Sequence, residues 1–175
     1  MAYKAIPTEP VKIDGVRDTY VGINPNTNGD DKIRAFIDAF KRVAEDASDD
    51  CYGLPVDLIL AMWGGESGWS KNETQVNNQN WSNMSYVDSS YPVGNIGEGE
   101  DGWAAFPGRK THGKAFSRFL KGDRYSKLTN YLKNTADPDS KKCARYIADA
   151  GYGGSNHDRY YKEVIDYLDS VRKRL

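Results

Sequence analysis

Cysteine is scarce in this chain: Cys51 and Cys143 are the only two in 175 residues. That excludes a disulfide scaffold and leaves either one bridge, formed in an oxidising compartment, or two buried free thiols. Histidine is equally scarce. His112 and His157 stand apart and lack ligand spacing, which argues against a metal centre; a helix cap or a surface position is the default for each. A phosphate loop is missing, because Gly108-Arg109-Lys110-Thr111 lacks the required glycine spacing, and no cofactor is expected. The formal net charge of −1 gives none of the basic excess of a nucleic-acid binder. The longest apolar stretch, Leu54 to Trp63, contains Asp57 and is too short to span a bilayer. The first residues show no apolar signal core, so work outside the cytoplasm would need a dedicated secretion system or lysis.

What remains is a polar chain, 38% hydrophobic and 28% charged, with a mean hydropathy of −0.75. Its length suits one domain with a short appendage. Aromatic residues make up 12% of it, and several lie in Asn-rich and Gly-rich sequence rather than in apolar runs. Rings beside amide side chains suit sugars, whose apolar faces stack while their hydroxyls seek hydrogen bonds.

Residues 1–30 carry Pro7, Pro10, Pro25 and the turn cluster Asn24 to Asp30. They read as an extended arm or linker, with Val11, Ile13, Val16, Tyr20 and Ile23 able to dock it on a body at 31–175. A first helix follows, capped by Asp30 or Asp31, with Ile33, Phe36, Ile37, Phe40, Ala44 and Ala47 on one face. A second helix opens at Pro55 and ends near Ser67-Gly68; it is apolar nearly all round, the mark of a central helix. From about Asn72 to Gly108 no stripe appears, and an irregular or β-hairpin lobe is expected. Helical spacing resumes at Ala115–Leu120, at Tyr125–Leu132, after Asp137-Pro138 with Gly151 as its stop, and from Asn156 to the end. The fold class is therefore mainly α (α+β): about six helices and a small lobe that together form a cleft.

Glu66 is the candidate catalytic residue. It stands at the end of the central helix on the face of Met62 and Trp63. Apolar surroundings and the negative helix terminus both disfavour its charged form, which prepares a general acid for work near neutral pH. Gly64-Gly65 and Gly68 flank it and would let a ligand approach, and Trp69 would offer a stacking face.

The segment Leu60-Ala61-Met62-Trp63-Gly64-Gly65-Glu66-Ser67-Gly68-Trp69-Ser70 resembles the catalytic-helix motif, roughly A-Q-A-x-x-E-S-G-W-G, of bacterial peptidoglycan endo-β-N-acetylglucosaminidases of the flagellar and autolysin type, in the lysozyme-like superfamily. Asn77-Asn78-Gln79-Asn80-Trp81-Ser82-Asn83-Met84 is similar to that family's Asn-Asn-Leu-Phe-Gly-Ile-Lys stretch. Ala150-Gly151-Tyr152-Gly153-Gly154, followed by Tyr160 and Tyr161, resembles its G-Y-A-T-D-x-x-Y segment. The likeness covers roughly residues 33–175. Gly64, Gly65 and Ser70 depart from it, as does Gly-Tyr-Gly-Gly-Ser at 151–155.

The resemblance implies a lysozyme-like fold at 31–175 and a peptidoglycan hydrolase that cleaves the glycan strand at the N-acetylglucosaminyl-β-1,4-N-acetylmuramyl bond, with Glu66 as acid and Tyr152 in the cleft. It also implies a second carboxylate from the irregular lobe, where Glu98 and Glu100 are the candidates and Asp88 a third. Inversion would place such a base about 6.5–9.5 Å from the acid, and retention a nucleophile at about 5–5.5 Å, unless the substrate's acetamido group serves instead. Trp69, Asn80, Trp81, Asn83, Tyr86, Tyr91 and Trp103 are the candidate substrate-binding residues. A lytic transglycosylase or muramidase on the same fold and a non-catalytic wall-binding module are the alternatives. The partner is the glycan strand; a phage lysin and an injected effector are both possible contexts, and an effector would imply a cognate immunity protein.

Overall fold

The computed structural model describes residues 12–13, 16–17, 19–24 and 26–175. Lys12–Ile13 (β1) pairs antiparallel with Val16–Arg17 (β2). Seven α-helices follow among the described residues: α1 Gly29–Asp50, α2 Val56–Ser67, α3 Glu73–Asn78, α4 Arg109–Leu120, α5 Ser126–Lys133, α6 Ser140–Asp149 and α7 His157–Arg172. Gly97–Glu98 (β3) and Ala104–Ala105 (β4) form an antiparallel hairpin in the register Gly97↔Ala105. The fold is thus mainly helical with a small lobe. The sequence expectation of about six helices misses α3, whose six residues are too short and too amide-rich to show a stripe.

α2 is the central element. Leu58 to Trp63 are each no more than 2% exposed, and α1 and α7 pack against it. α1 turns Ile33, Phe36, Ile37, Phe40, Ala44 and Ala47 inward, as their spacing predicts. Neither Asp30 nor Asp31 caps it. The extended residue at its start is Asn28, so both acids fall in the first turn, where the positive helix end still favours them; Asp30 there pairs with Arg34 at 2.7 Å and Arg174 at 2.6 Å. α6 starts two residues later than Asp137-Pro138 suggests, because Asp139 makes the cap by accepting from the Lys142 N–H at 2.7 Å. Asn156 caps α7 by accepting from the Arg159 N–H.

Tyr20 and Ile23 of the arm pack on the core, and the Gln79 side chain exchanges two hydrogen bonds with the Tyr20 backbone, at 2.6 and 2.9 Å. Val11 lies outside the described residues. Cys51 and Cys143 are both buried free thiols, and burial pushes each up to about 12. His112 is fully buried, contrary to the expectation of a cap or surface residue. It lies on the inner face of α4, edge-on to Trp63, Trp81 and Phe106.

The irregular lobe is held by amide side chains. Asn78 Oδ1 accepts from the Glu100 N–H at 2.8 Å and its Nδ2 donates to the Glu100 carbonyl at 3.1 Å. Asn80 Nδ2 donates to the carbonyls of Met84 and Ala104, and Asn80 Oδ1 accepts from the Met84 N–H. Backbone groups that no helix or sheet satisfies must find partners when buried, and these amides supply them. That is the physical reason for an Asn-rich stretch here.

Candidate active site

The C-terminal end of α2 carries Glu66 to the wall of a cleft of about 620 Å³. The helix closes there on Gly68, which is left-handed (φ 58°), while the Trp69 N–H reaches back to the Gly64 carbonyl at 2.7 Å. Ser67 locks the turn: its hydroxyl donates to the Trp63 carbonyl at 2.7 Å and accepts from the Ser70 N–H at 2.9 Å. Ser67 therefore builds the helix end rather than the chemistry.

Glu66 is half-buried. Desolvation raises its pKa above the usual carboxylate value, the Asn83 hydrogen bond opposes that rise, and the negative charge of Glu163 adds to it. Asn83 Nδ2 donates to Glu66 Oε2 at 2.8 Å. The Asn83 amide is itself fixed, since Gln75 Nε2 of α3 donates to Asn83 Oδ1 at 2.8 Å. Asn83 adopts φ 50°, a left-handed conformation that asparagine tolerates better than most residues.

The strand of chain bearing Asn83 is held from behind at Ser82. The Ser82 hydroxyl lies 2.7 Å from His112 Nε2. The Tyr152 hydroxyl, in the turn between α6 and α7, donates to the Ser82 carbonyl at 3.1 Å. Burial, and then the neighbouring Glu66, push the Tyr152 phenol far up, so it stays a proton donor at any working pH. Its ring stacks on Tyr160 at 5.7 Å. Met84, Ser85, Val87, Tyr91 and Trp103 of the lobe also line the cleft.

The structure brings together Glu66, Asn83, Tyr152, Tyr91 and Trp103 from the sequence-predicted set. It does not bring in Trp69, Trp81 or Asn80. Trp69 lies on Gly64, where a Cβ would come within 2.3 Å of its ring, and it is only 7% exposed. Trp81 is fully buried against Phe40 and donates its indole N–H to Ser70 Oγ at 2.9 Å. Asn80 is occupied with the lobe backbone. Tyr86 packs against the core, and its N–H donates to the Gly102 carbonyl. The glycines beside Glu66 serve the chain itself rather than a ligand: Gly64 admits Trp69, and Gly65 admits Tyr167, whose ring lies 2.3 Å from a Cβ built there.

Neither lobe glutamate borders the cleft. Glu98 sits in β3, and Glu100 Oε1 accepts from Asn77 Nδ2 at 3.0 Å. The Asp88 carboxylate is taken up by its own turn, accepting from the Ser90 and Tyr91 N–H groups and the Ser90 hydroxyl, and these bonds hold its pKa low. The carboxylate that does share the cleft with Glu66 is Glu163 of α7, which no motif in the sequence marks. Its signal was its position one turn beyond Tyr160, on the edge of the apolar stripe of Tyr160, Val164 and Leu168. Arg124 and Phe119 also border the cleft, and nothing in their local sequence signals it.

The sequence model of the glucosaminidase family, described as mannosyl-glycoprotein endo-beta-N-acetylglucosaminidase, matches residues 41–173. No curated protein matches in sequence. Three solved structures share the fold. One comes from a type VI secretion system effector–immunity complex of Pseudomonas protegens, with 20% identity, a TM-score of 0.61, and coverage of 82% of this chain and 93% of that one. The glycoside hydrolase domain of Salmonella typhimurium FlgJ gives 18% identity, a TM-score of 0.62, and coverage of 81% and 89%. The catalytic domain of the autolysin Auto from Listeria monocytogenes gives 15% identity, a TM-score of 0.61, and coverage of 85% and 89%.

Proposed function

The chain belongs to the glucosaminidase family and is a glycoside hydrolase, and we propose that it cleaves the peptidoglycan glycan strand at the N-acetylglucosaminyl-β-1,4-N-acetylmuramyl bond with Glu66 as the general acid. The observation that carries this reading is the state of Glu66: half-buried at the cleft wall, with a raised pKa and one carboxyl oxygen held by Asn83. Likeness to an autolysin domain and to the FlgJ hydrolase domain supports the wall polymer as substrate.

In this mechanism Asn83 engages Oε2 and leaves Oε1 to carry the proton. Oε1 passes it to the glycosidic oxygen as the C1–O bond breaks and the sugar ring takes on oxocarbenium character. The departing chain leaves as an alcohol and Glu66 as a carboxylate. Water then bonds to C1, and a proton returns to Glu66. Glu100 is tied to Asn77 and neither lobe glutamate borders the cleft; Glu163, which does, accepts from Arg159 at 3.1 Å. These ties favour the substrate's acetamido group as the internal nucleophile: its oxygen bonds to C1 as the leaving group departs, and the water displaces it. A thousand-fold loss (roughly what an essential base is worth) in Glu98→Gln or Glu100→Gln would instead assign the second step to the lobe, carried in by closure.

The deciding experiment is mass spectrometry of sacculi digested with wild type and Glu66→Gln. Products ending in reducing N-acetylglucosamine support the reading. A 1,6-anhydro end would make the protein a transglycosylase, and a reducing muramic acid end a muramidase. A folded Glu66→Gln variant that digests as well as wild type would sink acid catalysis by this residue. The likeness to a chain from an effector–immunity complex supports action on a competitor's wall with a cognate immunity protein as partner; growth arrest on periplasmic but not cytoplasmic expression tests it.

A further inference from the structure

Arg124 is the one cation among the described residues that border the cleft, where Glu66 and Glu163 are the acids. It lies in the 3₁₀ turn Asp123–Tyr125 that leads into α5. Its guanidinium is fixed by its own chain: Nε donates to the Ala150 carbonyl at 2.6 Å and Nη2 to the Gly151 carbonyl at 2.7 Å. Gly151 is left-handed (φ +85°), and a Cβ there would stand 2.8 Å from Nη2, so the turn has no side chain where the guanidinium sits. The Tyr125 ring lies beneath it at 5.7 Å. With Nε and Nη2 engaged, Nη1 has no protein partner among the described residues.

A guanidinium held on one edge and free on the other is prepared for a planar anion, and a carboxylate matches that fork. Neutral N-acetylglucosamine offers it hydroxyls and an acetamido carbonyl, but no charge and no two-oxygen fork. Muramic acid differs from glucosamine by a lactyl group, which bears a free carboxylate or, through an amide, a peptide with carboxylates of its own. We propose that Arg124 forms a carboxylate-reading subsite that selects glycan strands bearing anionic muramyl substituents over neutral N-acetylglucosamine polymers. The inference rests on the wall-glycan reading and adds to it the group that distinguishes the wall polymer from chitin.

The test measures binding to the Glu66→Gln chain, chosen to suppress cutting, with and without Arg124→Gln. The ligands are chitohexaose, which has no carboxylate; glycan oligomers stripped of peptide by an amidase, which expose the lactyl carboxylate; and peptide-bearing glycan oligomers. Arg124→Gln should weaken a carboxylate-bearing ligand about tenfold, as a partly exposed charge-assisted pair would, and chitohexaose less than about twofold. The ligand that shows the loss identifies the source of the carboxylate. That loss should shrink in high salt, and Arg124→Lys, which keeps the charge, should recover part of the preference. Equal losses for all three ligands would mean that Arg124 only holds the Ala150–Gly151 turn, and no loss would mean that it reads nothing; either overturns the proposal while sacculus digestion by the wild type still stands. Failure to bind any of the three, together with failure to digest sacculi, would overturn the wall-glycan reading as well.

Discussion

Asn83 Nδ2 donates to Glu66 Oε2 at 2.8 Å, and this bond works against the desolvation that raises the acid's pKa. Hydrogen bonding to the ionised form favours that form. Removing it in Asn83→Ala should therefore raise the Glu66 pKa further. A general acid is lost as pH climbs through its pKa, so the alkaline limb of the pH–rate profile should move to higher pH. The plateau should fall roughly tenfold, because the carboxyl is no longer aimed. Gln75→Ala, one bond further back, should give a weaker version of both effects. An unchanged profile in Asn83→Ala would remove Asn83 from the site.

Glu163 acts in the opposite sense. Its negative charge is one cause of the raised Glu66 pKa, although Arg159 pairs with it at 3.1 Å and takes up part of the field. Glu163→Gln should lower the Glu66 pKa and bring the alkaline limb to lower pH, with little change in activity on the acid side. Salt should narrow the difference between variant and wild type, since the Glu163 side chain is 48% exposed and open to screening. The pH–rate profiles of the two variants should thus shift in opposite directions from wild type.

Much of this site is legible in the sequence because a helix writes its own face. The apolar circumference of α2 places it at the centre, and the last turn of a buried helix can hold an acid in few other ways. Tyr152 is legible only through the family resemblance. The lobe is not legible, because amides serve it in two senses: Asn83 faces the acid, whereas Asn78 and Asn80 face inward to satisfy backbone. Nothing in the run Asn77 to Asn83 separates those roles before the chain is folded. The same holds for Trp69, whose neighbours Ser67, Gly68 and Ser70 close the helix rather than form a sugar platform, and for Trp81, which is buried against Phe40. Arg124 and Glu163 meet the cleft from α5's approach and from α7, far from Glu66 in sequence, and no local pattern connects them.

His112 links stability to pH. Burial drives its pKa down to about 3, whereas an unfolded histidine titrates near 6.5. The folded pKa is depressed, so the contribution is fully present above pH ~6.5 and is lost as pH falls toward 3. Over that window the unfolded chain binds one more proton than the native one, and stability should fall by up to about 1.4 kcal/mol per pH unit from this group alone. Urea unfolding at several pH values between 7 and 4 measures the slope. His112→Gln, which cannot titrate but can still reach the Ser82 hydroxyl, should be less stable than wild type at pH 7 and show a shallower decline. Equal slopes in the two proteins would mean that His112 is already protonated when folded.

The four tryptophans should divide into two behaviours that one experiment separates. Trp103 is half-buried on the lobe side of the cleft. Trp103→Ala should raise KM for glycan, since a stacked ring is lost, and should leave thermal unfolding nearly unchanged. Trp69 and Trp81 sit in one aromatic cluster with Phe36 and Phe40, and Trp63 stands edge-on to Phe40 at 6.3 Å. Truncating a fully buried tryptophan typically costs about 3–5 kcal/mol. Trp81→Ala also strands the Ser70 hydroxyl that its indole N–H reaches, and Trp69→Ala empties the space over Gly64. Both variants should lose stability by that order, and whatever fraction stays folded should keep the wild-type KM. A raised KM in a stable Trp69→Ala protein would return that ring to the cleft, and would require α2 to end differently from the left-handed turn at Gly68 that now folds it inward.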